Sequence, residues 1–290
     1  MQSAAIRPIP NMLERNLFNQ EHEAFRETVR KFYEKEVVPN IEKYEKQQHV
    51  DRDLWNKAGD LGLLCTTMPE QYGGSGVDRL YSMILIEEQA YAMDSSTGFS
   101  LHSDIVANYI NNFGHEQQKQ KWLPKMASGE VVTAIAMTEP GTGSDLQAVR
   151  TSAVLDGDEY VINGSKIFIT NGYLCDMAIV VCKTGNNEKG SANLSLIMVE
   201  ADRVGFSKGK PLNKIGMKGQ DTCELFFDNV RVPKENLLGM EGMGFMMLMK
   251  ELAWERMLVA IICQAGAEAA FAHTVPVSYT HLTLPTILLV

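Results

Sequence analysis

Clustered cysteine is missing from this chain. Its five cysteines, Cys65, Cys175, Cys182, Cys223 and Cys263, stand singly, with no C-x-x-C pair and no zinc-type spacing. An odd, scattered set argues against a disulfide framework and reads as reduced core thiols of an intracellular protein. The six histidines form no H-E-x-x-H or comparable group, so a metal centre has no support. The N-terminus lacks the basic-then-apolar layout of a secretory signal, and no run is read as reaching membrane-spanning length. A formal net charge of −9 sets nucleic acid and anionic membranes aside as main partners, while leaving room for a local basic pocket. The Gly141-x-Gly143 pair lacks the third glycine and the following helix of a dinucleotide-binding fingerprint.

What is present is enough for a proper core: 45% of 290 residues are hydrophobic, in one large domain or two to three small ones. Up to about Gly129 the pattern is helical. Asn19 caps a helix expected over Gln20 to Val37, with Ala24, Val29, Phe32 and Tyr33 toward a core and Pro39 after the stop. Further helices are expected over Asp51 to Leu61, Leu80 to Met93, Gly98 to Phe113 and Glu116 to Ala127. The run Tyr81 to Ala92 is packing surface rather than chemistry.

Past Gly129 the period changes. Short apolar runs follow between turns: VVTAIAMT, VRTSAVL, DEYVING, KIFITNG, MAIVVCK, LSLIMVE and ELFFDNVRV. Asp156-Gly157 and Asn163-Gly164 are hairpin signals. Strands at this spacing, with no helices between them, predict an antiparallel sheet or barrel and argue against a parallel dinucleotide-binding fold. A helical pattern returns after Gly239, which gives three segments.

That last helix, Met240 to Phe271, reads MEGMGFMMLMKELAWERMLVAIICQAGAEAAF. At about 100° per residue, Leu248, Leu252, Val259 and Ile262 share one narrow stripe, and Glu255 falls in its middle. An ionised carboxylate on a core-facing line costs on the order of several kcal/mol unless it is paired or protonated. Two roles stand side by side. Glu255 is half of a buried ion pair or sits where the helix reaches solvent, or it is a catalytic base whose pKa is raised by apolar surroundings. The second half of the helix is apolar nearly all round, which predicts a buried element.

Two stretches of the strand segment carry candidate chemistry. In AMTEPGTGSD, Ala136 to Asp145, Pro140 and two glycines hold a sharp open loop past a strand end, where Thr138, Ser144 and free N–H groups can donate to an anionic or carbonyl-rich ligand. In KIFITNG, Lys166 to Gly172, Phe168 and Thr170 occupy alternate positions on one strand face and suit a stacking wall with a hydrogen bond for a flat ring. An ordinary turn and an ordinary core strand are the competing explanations.

Taken together, AMTEPGTGSDLQ, KIFITNG, KIGMKGQDTCELFFDNVRVP and the helix with ELAWER resemble the acyl-CoA dehydrogenase family, in family order and spacing from near Phe18 to about Phe271. Within it the nearest likeness is the long-chain branch, where IAMTEPG-GSDLQ, EEQAY, GFS-H and ELFF recur. The resemblance implies an α+β multidomain fold: an N-terminal helical domain over 1–130, a middle antiparallel β-domain over 131–239 and the start of a C-terminal helical domain over 240–272, with FAD between them. It places Ile135, Ala136, Met137, Thr138, Glu139, Pro140, Gly141, Thr142, Gly143 and Ser144 in the flavin-binding loop. It places Phe168, Ile169 and Thr170 against the isoalloxazine. Glu255 matches the position where the long-chain and isovaleryl branches carry the catalytic base. Ser144, Met246, Ala253, Trp254 and Arg256 match positions that line the acyl-CoA site.

The implied reaction is α,β-dehydrogenation of a fatty acyl-CoA to a trans-2-enoyl-CoA in β-oxidation, with electrons passed to electron-transfer flavoprotein. A homo-oligomer, dimer or tetramer, in bacterial cytoplasm or mitochondrial matrix goes with it. Acyl-CoA oxidases and nitroalkane oxidases share the family fold, and the placement of Glu255 favours a dehydrogenase.

One departure stands out. After Phe271 the family pattern gives way to AHTVPVSYTHLTLPTILLV, with two prolines and β-branched residues. Residues 273–290 are therefore expected to be a non-native tail on a C-terminally truncated sequence. The alternative function that follows is a catalytically incompetent fragment, or a non-catalytic binding module of the same fold.

Overall fold

A computed structural model describes residues 15–185 and 193–281. The N-terminal part is helical: α1 (Gln20–Phe32), α2 (Ile41–Gln47), α3 (Arg52–Asp60), α4 (Arg79–Tyr91), α5 (Ala107–Phe113) and α6 (Glu116–Ala127). Asn19 caps α1 as expected. Its side chain accepts from His22 N at 3.0 Å, and the His22 ring closes the box by accepting from Asn19 N. The helix does not stay regular to Val37: Tyr33–Val37 widen into a π-turn and Val38–Asn40 tighten around Pro39, which marks no stop, since α2 follows directly at Ile41. The run expected over Gly98 to Phe113 likewise opens as a π-turn at Leu101–Val106 and becomes α5.

The packing role of Tyr81 to Ala92 is met with an addition. Helix α4 buries Glu87 and Glu88, which accept from Arg26 of α1 at 2.8 and 3.2 Å, while Arg30 reaches Glu88 at 2.9 Å. A buried carboxylate needs such partners, and these bonds fix α1 against α4.

Among the described residues eight strands follow: β1 (Thr133–Ala136), β2 (Ser152–Asp156), β3 (Glu159–Thr170), β4 (Met177–Thr184), β5 (Leu194–Glu200), β6 (Phe206–Lys208), β7 (Thr222–Pro233) and β8 (Leu237–Leu238). They form one sheet in the order β6-β7-β3-β2-β4-β5-β8, with β1 beside β4. Antiparallel pairs dominate, but β4 runs parallel to both β1 and β2. The hairpin expected at Asp156-Gly157 is there, with Asp156 opposite Glu159 and Gly157 at φ +65°.

Asn163-Gly164 is not a hairpin. It lies inside β3, which merges the DEYVING and KIFITNG runs, and marks a register shift against β7. Gly164 has φ +148°, and a Cβ there would sit 2.5 Å from Thr151 Oγ1. A glycine mid-strand here permits a bulge and a close backbone approach rather than a turn.

The last element, α7 (Gly244–His281), is longer than expected. It continues past Phe271 and through Pro276, where the hydroxyls of Thr274 and Ser278 donate to the carbonyls of Ala270 and Val275. No end of secondary structure falls at 272/273, and residues 282–290 lie outside the described residues. The segment Gly244–Ser278 is, by length and composition alone, apolar enough to cross a membrane, which corrects the expectation that no run reaches that length.

Nor is α7 buried all round. Met247, Leu248, Leu258, Ala265 and Ala269 form the packed line, whereas Val259, expected on it, is 59% exposed, and Met257 and Phe271 also face out. The reason is geometric. Among the described residues, only one side of the helix meets α4, α5 and β5, and the packed line falls a residue away from the predicted stripe.

Candidate active site

A buried ion pair forms the floor of the glycine-rich loop. Lys166, in the middle of β3 and fully buried, donates to Glu139 at 2.9 Å and to Met137 O at 3.0 Å. Glu139 also accepts from Arg150 N at 2.7 Å and Thr151 N at 2.9 Å. Burial works against its ionised form, but bonding to Thr151 and the Lys166 charge prevail and hold its pKa below the ordinary carboxylate range. Above this floor, Glu139 and Thr142 exchange both backbone hydrogen bonds at 2.9 and 3.0 Å, closing a turn over Pro140 and Gly141. Gly141 and Gly143 border open space, since a Cβ at either would meet nothing within 4 Å. Ser144 is exposed, and Thr138 is half-buried.

The loop is stitched to Phe168. Thr138 O accepts from Ile167 N at 2.9 Å, immediately beside it. The β3–β7 pairing jumps between Lys166 and Ile169, so Phe168 sits on a bulge rather than in a regular strand face. Its φ is +61°, and its side chain is 62% exposed. A bulky residue in the left-handed region carries about 1–3 kcal/mol of backbone strain. Ile169 points into the β-domain core, and Thr170 is half-buried. Asn171, buried next to it, donates to Gly98 O at 3.0 Å and Thr133 O at 3.3 Å, which locks this end of β3 to the helical domain.

Glu255 lies on the packed side of α7, half-buried, and its Oε1 accepts from Tyr109 Oη of α5 at 2.9 Å. Among the described residues no salt bridge reaches it, so its partner is a neutral phenol rather than a cation. Burial pushes its pKa up, the Tyr109 hydroxyl pulls it back, and Glu251 one turn earlier pushes it up again; the net direction is upward. The loop and α7 meet through one core cluster, in which Met137 and Leu146 pack with Tyr109, Met247 and Leu248. Among the described residues no hydrogen bond links Glu255 to the loop directly.

The positions matched to the acyl-CoA site are spread over α7. Met246 is 62% exposed, Ala253 and Arg256 are exposed, and Trp254 is half-buried under the Arg79 guanidinium, 4.3 Å from the ring centroid. Sequence reasoning missed Tyr109, Glu251, Lys166 and Arg79. The spacing of Glu251 and Glu255 at i and i+4 was a usable signal, and so was a lone lysine in the strand run KIFIT. Tyr109 and Arg79 carried no local mark. A cavity of about 270 Å³ opens between α1, α4 and α7, lined by Arg30, Tyr33, Tyr91, Met93 and His273 among others; none of Thr138, Phe168 or Glu255 lines it.

Helices, a mixed sheet and a long carboxylate-bearing helix follow one another in this order, a helix–sheet–helix scaffold. Residues 19–130 match the profile of the acyl-CoA dehydrogenase N-terminal domain, and residues 134–230 that of its middle domain. The chain is 48% identical over 275 residues to the long-chain specific mitochondrial acyl-CoA dehydrogenase of Sus scrofa, covering 94% of this chain and 64% of that protein. It is 41% identical over 258 residues to an acyl-CoA dehydrogenase of Bacillus subtilis, covering 88% and 68%. The crystal structure of an acyl-CoA dehydrogenase from Geobacillus kaustophilus superposes with a TM-score of 0.87 at 47% identity, covering 89% of this chain and 68% of that one. The chain belongs to the acyl-CoA dehydrogenase family. It spans somewhat less than two thirds of the length of the long-chain relatives it matches.

Proposed function

We propose that this chain serves FAD-dependent α,β-dehydrogenation of a fatty acyl-CoA, of long chain, to a trans-2-enoyl-CoA. The observation that carries this is Glu255: a half-buried carboxylate facing a phenol, with no cation partner among the described residues and raised proton affinity. A structural ion pair would look different. Relatives named for the long-chain and isovaleryl enzymes, at 48% and 36% identity, belong to the two branches matched at Glu255 and support the same reading.

The residues at hand fit a flavin. Phe168 offers an exposed ring on a strained bulge, and beside it the open loop offers Thr138, Ser144 and glycines bordering free space. A strained aromatic left in solvent is accounted for by a flat ligand that covers it. A related acyl-CoA dehydrogenase from Bacillus anthracis, 35% identical with a TM-score of 0.81, is described as complexed with FAD. When bound, the flavin supplies the acceptor for the β-hydride.

The protein's own part is proton chemistry and positioning. Tyr109 occupies Oε1 of Glu255, which leaves Oε2 to take the α-proton of the thioester. A thioester α-proton is weakly acidic, so a base of raised pKa in a water-poor setting suits it better than an exposed carboxylate. As the proton leaves to Glu255 and hydride leaves the β-carbon, the α,β double bond forms. Met246, Ala253, Trp254 and Arg256 are assigned to the acyl-CoA side, and Ser144 to the point where cofactor and thioester come close. Electron-transfer flavoprotein is assigned as acceptor, β-oxidation as the setting, and a homo-oligomer in bacterial cytoplasm or mitochondrial matrix as the working form.

A second function, binding without turnover, is favoured by the exposed apolar side of α7, where Met246, Met257, Val259 and Phe271 lack cover among the described residues. Purification with added FAD separates the two. A flavin absorbance band and reduction of an artificial acceptor by a long-chain acyl-CoA support the enzyme, flavin without reduction supports the binding module, and absence of both rejects the flavin site.

A further inference from the structure

Two hydrogen bonds join α5 to α7 as successive rungs. Tyr109 Oη donates to Glu255 Oε1 at 2.9 Å, and Asn112 Nδ2 donates to Glu251 Oε1 at 2.8 Å. The donors are three residues apart and the acceptors four, so each rung lies one helical turn from the other. Both carboxylates therefore look toward the same side of α5. Glu251 is only 5% exposed.

The charges around the pair are few. Among the described residues, no salt bridge reaches either carboxylate. From α5 they face Tyr109 and Asn112. On α4, Arg79 is stacked on Trp254 at 4.3 Å, and on α7 itself Lys250 lies over the Phe113 ring at 5.3 Å, while Arg256 is exposed. Two carboxylates one turn apart on one helix face repel each other, and that repulsion disfavours charge on Glu255.

We propose that Glu251 is a positioning residue for the dehydrogenation: anchored by Asn112, its charge tunes Glu255 as a proton acceptor. Glu251 acts only through Glu255, so its role rests on the base role given to Glu255 above. The direction follows from like charge. A carboxylate at 251 disfavours the second negative charge at 255 and moves Glu255 in the same upward direction as burial does. Tyr109 and Asn112 hold the two groups in register, so the coupling is built into the helix pairing. The competing role is purely structural, with Glu251 no more than an acceptor that ties α7 to α5.

Charge and cross-link are separable. In Glu251→Gln the amide oxygen still accepts from Asn112, so the rung survives and the charge does not. In Asn112→Ala the rung goes and the charge stays. The full chain is labelled with 13C-carboxyl glutamate, and the Glu255 resonance, assigned by its loss in Glu255→Gln, is followed against pH by NMR. Glu251→Gln is expected to lower the Glu255 midpoint, whereas Asn112→Ala, which keeps the charge, leaves it in place. An unchanged midpoint in a folded Glu251→Gln protein overturns the proposal. Should that variant not fold, the wild-type curve decides: a Glu255 resonance with two inflections, one for each carboxylate, supports coupling, and a single simple titration overturns it. The base role is tested separately by turnover of Glu255→Gln. Full turnover in that variant would remove the base role and leave the measured coupling standing.

Discussion

Tyr109 and Glu255 are 146 residues apart in sequence and 2.9 Å apart in space, hydroxyl to carboxylate. Tyr109 is fully enclosed in the core cluster that also holds the flavin-loop residues Met137 and Leu146. The one polar atom of that ring is thus aimed at the proposed base. Tyr109→Phe keeps the packing and removes the bond. Because the hydroxyl favours the ionised form, Glu255 should titrate at higher pH in the variant, and the rising limb of the rate–pH profile should move up with it. The bond is worth about 1–2 kcal/mol. A rate–pH profile identical to wild type would separate Tyr109 from the chemistry.

Helix and strand positions were legible in the sequence wherever one period ran unbroken. The Asn19 cap, the limits of α6 and the Asp156-Gly157 hairpin followed from local chemistry. Asn163-Gly164 misled because the same dipeptide serves a bulge when a neighbouring backbone, here at Thr151, comes too close for a Cβ. Glu255 was visible because a charge interrupted an apolar stripe. Tyr109 and Asn112 were not, since nothing within a few residues of either marks a contact made across two domains. The exposed side of α7 was also illegible: periodicity tells which residues avoid water, not which neighbours are there to cover them.

Phe168 combines strain with exposure, so stability and binding should move in opposite directions. Phe168→Gly removes a side chain from a φ of +61°. Chemical denaturation of the flavin-free protein should show it equal to or more stable than wild type, by up to about 1 kcal/mol. Its affinity for FAD should fall, measured by fluorescence quenching. Unchanged affinity would mean that the ring does not contact the flavin.

Lys166 and Glu139 support the loop from below. Lys166→Met strands a buried carboxylate and should destabilise the protein by about 3–5 kcal/mol. Combining it with Glu139→Gln should recover part of the loss. A single-variant cost under about 1 kcal/mol would show that the pair is solvated and does not fix the loop.

His102 supplies a pH marker at the domain junction. Its Nε2 bonds Met126 O at 3.0 Å, and its Nδ1 accepts from Thr133 N at 3.2 Å. Burial is the main cause that lowers its pKa to about 4, because desolvation penalises the charged ring; a proton on Nδ1 would also face the Thr133 N–H. The folded pKa lies below the ordinary value, so the contribution to stability is fully present above about 6.5 and is lost as pH falls toward about 4. Asp104 and Asp221, pushed up to about 6 by burial, act in the opposite sense over an overlapping range. The clean measurement is therefore the ring itself: 15N NMR should show a neutral Nε2–H imidazole down to about pH 4. Protonation near pH 6.5 would contradict the buried junction.

The proposed role of Glu255 as acceptor of the α-proton is tested most directly by turnover of Glu255→Gln in flavin-loaded protein with a long-chain acyl-CoA and an artificial electron acceptor. Gln keeps the size of the side chain and still accepts from Tyr109, but it cannot take a proton. The expected result is an unchanged flavin spectrum, retained acyl-CoA binding and a rate lowered by about 10²–10⁴, the usual worth of a general base. Wild-type turnover in that variant, with flavin bound, would contradict it and leave Glu255 as a structural acceptor for Tyr109.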